Sequence, residues 1–175
     1  MTKQVQNYFM GQWQDFSGEG ILQRNAVNGS EISVVNGHDS VPFADILDYG
    51  HRVGNKALRK MTFLERGLMI KKLAFFLHKN RKKYYPISYQ SGATKTDSWI
   101  DIDGGIGTLF AYASLRKQFP DDQLYVDGQT VGLSKGGSFI GHHVMVPKGG
   151  VAVHINAFNF PIWGCLLYTS DAADE

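Results

Sequence analysis

Residues 151–161, Val-Ala-Val-His-Ile-Asn-Ala-Phe-Asn-Phe-Pro, constrain this chain more than any other stretch. A turn signal, Lys148-Gly149-Gly150, precedes them. Residues 151–155 are mostly apolar and β-branched, as a strand buried on both faces of a parallel sheet requires. His154 is the polar interruption. Pro161 suits a first helical turn, because the N–H it lacks is one the helix leaves unpaired anyway. The reading is strand, tight loop, helix. In open α/β sheets ligands sit beyond the carboxyl ends of strands, and the loop at 156–161 lies at such an end.

The chain before this unit divides into three blocks. Residues 5–38 alternate short β-prone runs with Asn28-Gly29 and Asn36-Gly37, a strong hairpin signal. This predicts small antiparallel strands, with one over 32–35, packed on the body by Trp13 and Phe16. Pro42 opens a helical block. Phe43, Ile46, Leu47, Gly50, Val53, Ala57 and Leu58 repeat at 3.6 residues. Thr62 followed by Glu65 is a capping-box pattern for a second helix, with Phe63, Leu64, Leu68, Ile70, Leu73, Phe76 and Leu77 inward. A third helix runs over about 80–89, delayed or kinked by Pro86. Gly92 breaks the chain, and a fourth helix spans about 96–119. Its inward face is Trp99, Ile102, Ile106, Leu109, Phe110, Ala113 and Leu115. Gly104, Gly105 and Gly107 weaken that helix alone, so they are expected to allow close packing. From 123 to 147 the pattern is extended, as arm or sheet-edge strands.

Composition narrows the class. A 175-residue chain with 43% hydrophobic residues can bury one core. Its net charge of +2 makes no case for nucleic acid. One cysteine forbids an internal disulfide and fits a reducing compartment. Residues 1–16 lack the apolar core of a signal peptide, and no run reaches the roughly 18 apolar residues of a membrane span. The expectation is a soluble, cytoplasmic protein, with no membrane and no nucleic-acid partner.

The loop Ala157-Phe158-Asn159-Phe160-Pro161 resembles the Pro-Trp-Asn-Phe-Pro loop of the aldehyde dehydrogenase superfamily. The longer string from His154 to Pro161 is most similar to the bifunctional phenylacetic acid degradation proteins, an aldehyde dehydrogenase fused to an enoyl-CoA hydratase-like domain. The resemblance covers roughly 5–164. It implies an α/β fold, the truncated N-terminal part of an aldehyde dehydrogenase: a β arm, a helical layer and the start of a Rossmann-like parallel sheet. Residues 1–164 form that part. Residues 165–175 break the resemblance abruptly, read as translated sequencing-adapter sequence, and are expected to be a non-native tail without a packing role. The resemblance also implies NAD or NADP as cofactor and a small aldehyde substrate, in this group linked to coenzyme A and derived from phenylacetate. It implies a homo-oligomeric parent. A simple or CoA-acylating aldehyde dehydrogenase, or a non-catalytic assembly module, are the other readings.

In that family a cysteine thiolate attacks the carbonyl, and an asparagine amide helps hold the oxyanion. The asparagine maps onto Asn159. A neutral amide is a fixed dipole that can donate to developing charge without ionising. Asn is also a favoured helix N-cap, so Asn159 has a purely structural alternative. Ile155, Asn156, Ala157 and Phe158 map onto positions lining the cofactor. Ala157-Phe158 replaces the family's Pro-Trp but keeps an apolar wall. Cys165 stands six residues after Asn159, whereas the family's nucleophile lies far downstream, so Cys165 is not assigned that role. Asp97, Asp101 and Asp103 read as a solvated helix face, since Tyr112 stands where a calcium loop would close with Glu. Lys79, Arg81, Lys82 and Lys83 read as a solvated helix end. His142-His143 lacks a third ligand at suitable spacing, and no metal site is assigned.

Overall fold

The computed structural model describes residues 2–15, 18–35 and 41–174 as a mixed α/β structure. Its N-terminal strands are β1 (Lys3–Gln4), β2 (Asn7–Phe9), β3 (Gln12–Gln14), β4 (Ile21–Arg24) and β5 (Glu31–Val35). β4 and β5 pair antiparallel, and β1 joins β5 in parallel. Asn25 N donates to Ser30 O at 2.8 Å, which closes the hairpin around Asn28-Gly29 as the dipeptide predicts. A second hairpin joins β2 and β3. Its turn is Met10-Gly11, at φ 52° and 81°. Both values are positive, as a two-residue type I′ turn needs. The strand predicted over 32–35 is therefore present. Trp13 does not pack on the body. It meets Tyr8 across the hairpin at a tilt of 59°, with centroids 5.0 Å apart, and stays largely exposed. Phe16 and Asn36-Gly37 lie outside the described residues.

The helical block begins with α1 (Phe43–Tyr49), which runs through a π-helical stretch, Gly50–Asn55, into α2 (Lys56–Leu58). No residue of this rod is buried, so its apolar stripe of Phe43, Leu47, Val53 and Leu58 faces outward. α3 (Phe63–Asn80) starts at the capping box of Thr62 and Glu65, where Thr62 Oγ1 accepts from Glu65 N at 3.2 Å. A 3₁₀ turn, Arg81–Lys83, leads to α4 (Tyr85–Gln90), with Pro86 in its first turn where its missing N–H costs nothing. A second capping box, Thr94 with Asp97, opens α5 (Lys95–Trp99). α5 continues through a π-helical stretch, Ile100–Gly104, into α6 (Gly105–Leu115).

α3, α6 and a final helix, α7 (Pro161–Asp174), make the core. It consists of Ile70, Ala74, Ile102, Ile106, Leu109, Ala113 and Leu166. Gly67 lets α3 and α6 approach closely, since a Cβ there would sit 2.6 Å from Arg116 Cβ. The outer flank of α3 is less covered than its pattern predicts. Leu68, Leu73 and Phe76 are exposed, as is Trp99 on α5.

Between α6 and α7 stands an antiparallel ribbon, β6 (Tyr125–Gly132) and β7 (Ile140–Met145), with most residues of both strands open to solvent. The extended reading of 123–147 holds there. The buried strand expected over 151–155 does not form, and the segment carries no strand pairing. A strand is stabilised by its ladder, and none of the described strands pairs with this segment. Without a partner the segment stays open, with Val151 and Val153 exposed.

Candidate functional site

The loop at 155–160 lies between the unpaired extended segment and α7. Ile155 and Phe158 are each 92% exposed, and Asn156, Ala157 and Asn159 are exposed as well. Only Phe160 turns partly inward. Asn156 folds back toward the helix: its Oδ1 would lie 3.4 Å from a Cβ on Gly164. His154 stacks flat on Tyr168, with centroids 5.5 Å apart and planes 3° from parallel. The sequence-assigned residues thus share one loop, with Asn156 drawn toward α7 and Ile155 and Phe158 facing out.

What holds the loop is Asp101, in the π-helical stretch between α5 and α6. Asp101 is only 3% exposed. Its Oδ1 accepts from Ile162 N at 3.0 Å and from Trp163 N at 2.7 Å. These are the second and third residues of α7, whose N–H groups have no partner within the helix. A carboxylate also complements the positive end of the helix dipole. Asp101 therefore does for α7 what an N-cap side chain normally does, from another helix. Gly105, one turn further on, completes the contact. A Cβ there would sit 2.9 Å from Trp163 Cα, so only glycine lets the two backbones come this close. The expectation that Gly105 permits close packing is met, whereas Gly104 and Gly107 face open space.

This arrangement corrects the reading of Asp97, Asp101 and Asp103 as a solvated face. Asp97 completes the capping box with Thr94. Asp101 is buried. Asp103 accepts a short hydrogen bond from Tyr85 Oη and pairs with Arg81 Nε at 3.2 Å. Arg81 is thereby tied to the π-helical stretch ahead of α6 rather than left as part of a solvated helix end. Burial pushes the Asp101 carboxyl above its ordinary value, and the two backbone N–H groups oppose that shift. Tyr85 is raised from 10.0 to about 12, first by burial and then by its bond to Asp103. Sequence reasoning missed Asp101 because its partners stand some sixty positions away. The usable signal was an apolar neighbour on each side, Ile100 and Ile102.

A cavity of about 570 Å³ is lined by the α1–α2 rod and residues 147–152, with Arg59, Arg66 and Lys148 on its wall. It is lined by none of residues 155–159. Among the described residues there is no group of three or more His, Cys, Asp or Glu side chains placed to hold a metal, and no helix long and apolar enough to cross a membrane. His142 Nδ1 instead lies 3.2 Å from Thr130 Oγ1 across the ribbon. Leu166 is 9% exposed and packs in the core, so the expectation that the segment after Gly164 packs on nothing is not met.

No family model matches the chain. The chain is similar to 3,4-dehydroadipyl-CoA semialdehyde dehydrogenase from Aromatoleum evansii, with 38% identity over 159 residues. The match takes in 90% of this chain and spans 31% of the relative's length.

Proposed function

We propose that this chain is the front part of an NAD(P)-dependent aldehyde dehydrogenase that oxidises a CoA-linked semialdehyde, and that the Asn159 amide donates to the oxyanion formed on the substrate carbonyl. The observation that carries the reading is the 159-residue similarity to a CoA-semialdehyde dehydrogenase. The geometry around α7 supports the role of Asn159. The alternative was a cap for this helix, yet Asp101 already accepts from the N–H groups that a capping side chain would take. Asn159 is exposed on the loop ahead of that anchored turn, so its amide is available to a substrate.

The residues present fit one wall of a dinucleotide site. Ile155 and Phe158 offer the apolar surface such a wall needs, and Ala157 between them leaves room for a ligand to approach. Bound NAD or NADP supplies the hydride acceptor. What this chain contributes is orientation and a fixed dipole. Removing one preorganised donor to an oxyanion costs about 2.7–4 kcal/mol of transition-state stabilisation. We further propose a soluble, cytoplasmic, homo-oligomeric parent, with residues 165–175 foreign to it. The phenylacetate link rests on the loop string 154–161 alone.

The test is kinetic. In the full-length enzyme Asn159→Ala should lower the rate of the chemical step about 10²–10³-fold. Affinity for the dinucleotide should stay close to that of the parent. An unchanged chemical step removes the assignment.

A further inference from the structure

We propose that Asp101 is a positioning residue for Asn159: by gripping the first turn of α7 from the π-helical stretch between α5 and α6, it sets where the Asn159 amide points. This rests on the reading of Asn159 as an oxyanion donor.

Three observations carry it. First, the two shorter hydrogen bonds land on one oxygen: Asp101 Oδ1 takes Ile162 N at 3.0 Å and Trp163 N at 2.7 Å, and Ile162 N also donates to Oδ2 at 3.4 Å. A single acceptor shared by two successive N–H groups fixes the helix start in position as well as in direction. Second, Asp101 cannot swing away. It is 3% exposed, its neighbour Ile102 is fully buried, and Gly105 holds the Trp163 backbone flush against α6. Third, the link from Ile162 back to Asn159 is short and partly stiff. It contains Phe160, which is half-buried, and Pro161, whose ring locks φ. Asn159 itself is exposed, so its direction is set by where the loop is held: at this end by Asp101, and at the other by Asn156 and His154 against α7.

The π-helical geometry has a purpose in this view. A π turn inserts an extra residue and rotates the helix face, and such turns recur at functional sites. Here the stretch Ile100–Gly104 keeps Asp101 and Ile102 inward together. A displacement of about 1 Å in a catalytic group can cost on the order of 10²-fold in rate. A positioning residue of this kind acts on kcat through Asn159 and leaves no contact of its own with substrate.

The experiment is a double-mutant cycle in the full-length enzyme, read as hydride-transfer rate per active site with the melting temperature followed in parallel. Asp101→Leu removes the acceptor and should lower the rate by on the order of 10²-fold, with KM for the dinucleotide unchanged. Asp101→Asn keeps an oxygen at Oδ1 and should restore most of the rate. In an Asn159→Ala background, Asp101→Leu should cost nothing further, because the group it aims is gone. If the two losses multiply, Asp101 does not act through Asn159 and the inference falls while the donor role stands. If Asn159→Ala is itself at the parent's rate, the reading of Asn159 fails, and the inference with it. A melting temperature that falls in Asp101→Leu while the rate per active site holds would make Asp101 a purely structural cap and would also overturn the proposal.

Discussion

Gly105 and Trp163 touch backbone to backbone: a Cβ added to Gly105 would stand 2.9 Å from Trp163 Cα and 3.2 Å from Trp163 N. Gly105→Ala should therefore push α7 off α6. Overpacking of this kind costs about 1–3 kcal/mol, more than the gain in helix propensity that Ala brings. Gly107→Ala, on the open side of the same helix, should be neutral or stabilising by up to about 1 kcal/mol. Thermal melts of the pair check this. Equal effects would place the α6–α7 contact elsewhere.

Asp101 should make stability depend on pH in an unusual direction. Its carboxyl is raised above 3.8 by burial, against the two backbone N–H donors. A raised acid binds its proton more tightly when folded. Its favourable contribution is present below the ordinary value and is lost as pH rises through the folded one. The bond pattern permits this, since the two shorter bonds end on Oδ1 and a proton on Oδ2 displaces only the 3.4 Å bond from Ile162 N. Asp101→Asn should flatten that acid-side slope and lose little at neutral pH. Asp101→Ala leaves the two α7 donors without their acceptor and should cost about 1–2 kcal/mol on the acid side, and less as pH rises through the folded value. Melting temperatures of the three proteins across the acid range measure both effects.

Tyr85 and Asp103 define the alkaline side. Tyr85 is pushed up to about 12, so its contribution is complete below 10.0 and disappears as pH rises through the folded value. Tyr85→Phe should remove this loss between those two values and cost about 1 kcal/mol at neutral pH, leaving Asp103 with Arg81. Denaturant unfolding at pH 8 and above distinguishes the variant from the parent. An unchanged alkaline slope in Tyr85→Phe would assign the effect to another tyrosine.

Local chemistry was legible in the sequence and distant chemistry was not. Thr62 with Glu65, Pro86 and Asn28-Gly29 each act within a few residues, and each stands where its pattern says. The period of Ile102, Ile106, Leu109 and Ala113 gave the buried side of α6 because a helix repeats its face regardless of partner. The strand at 151–155 failed because a strand depends on a neighbour that the pattern cannot supply. Met10-Gly11 escaped notice because Met is an unusual residue at positive φ, although glycine followed it. Within the candidate site, the helix start at Pro161 was readable from its own residues. Asp101 was not, since a cap provided from another helix leaves no trace near the turn it caps.

Leu166 tests how far the last helix belongs to the core. It stands four residues after Ile162, so a helix beginning at Pro161 brings both to the same face. Any apolar residue at 166 would be buried there, so its packing is compatible with our proposal that residues 165–175 are foreign. Leu166→Ala should cost about 2–3 kcal/mol, and Leu166→Met less than about 1.5 kcal/mol. Chemical denaturation of this chain measures both. If Leu166→Ala has no effect, α7 does not dock through this position.

Asn159→Asp separates chemistry from capping most sharply, and the full-length enzyme is the material for it. Asp caps a helix about as well as Asn, so a capping role predicts an intact melting temperature and an intact rate. An oxyanion donor predicts the same melting temperature with a different rate. The amide's N–H is lost, and a carboxylate placed beside developing negative charge repels it, so the chemical step should slow by at least the 10²–10³-fold expected for removing the donor. Asp101 sharpens the contrast, because it already holds the Ile162 and Trp163 donors and leaves the cap little to gain from residue 159. Dinucleotide affinity should change little if Ile155 and Phe158 supply that wall, as we propose. Stopped-flow hydride transfer is the decisive measurement: at the parent's rate, Asn159 is not the donor, and the loop 155–159 serves only to carry the chain into α7.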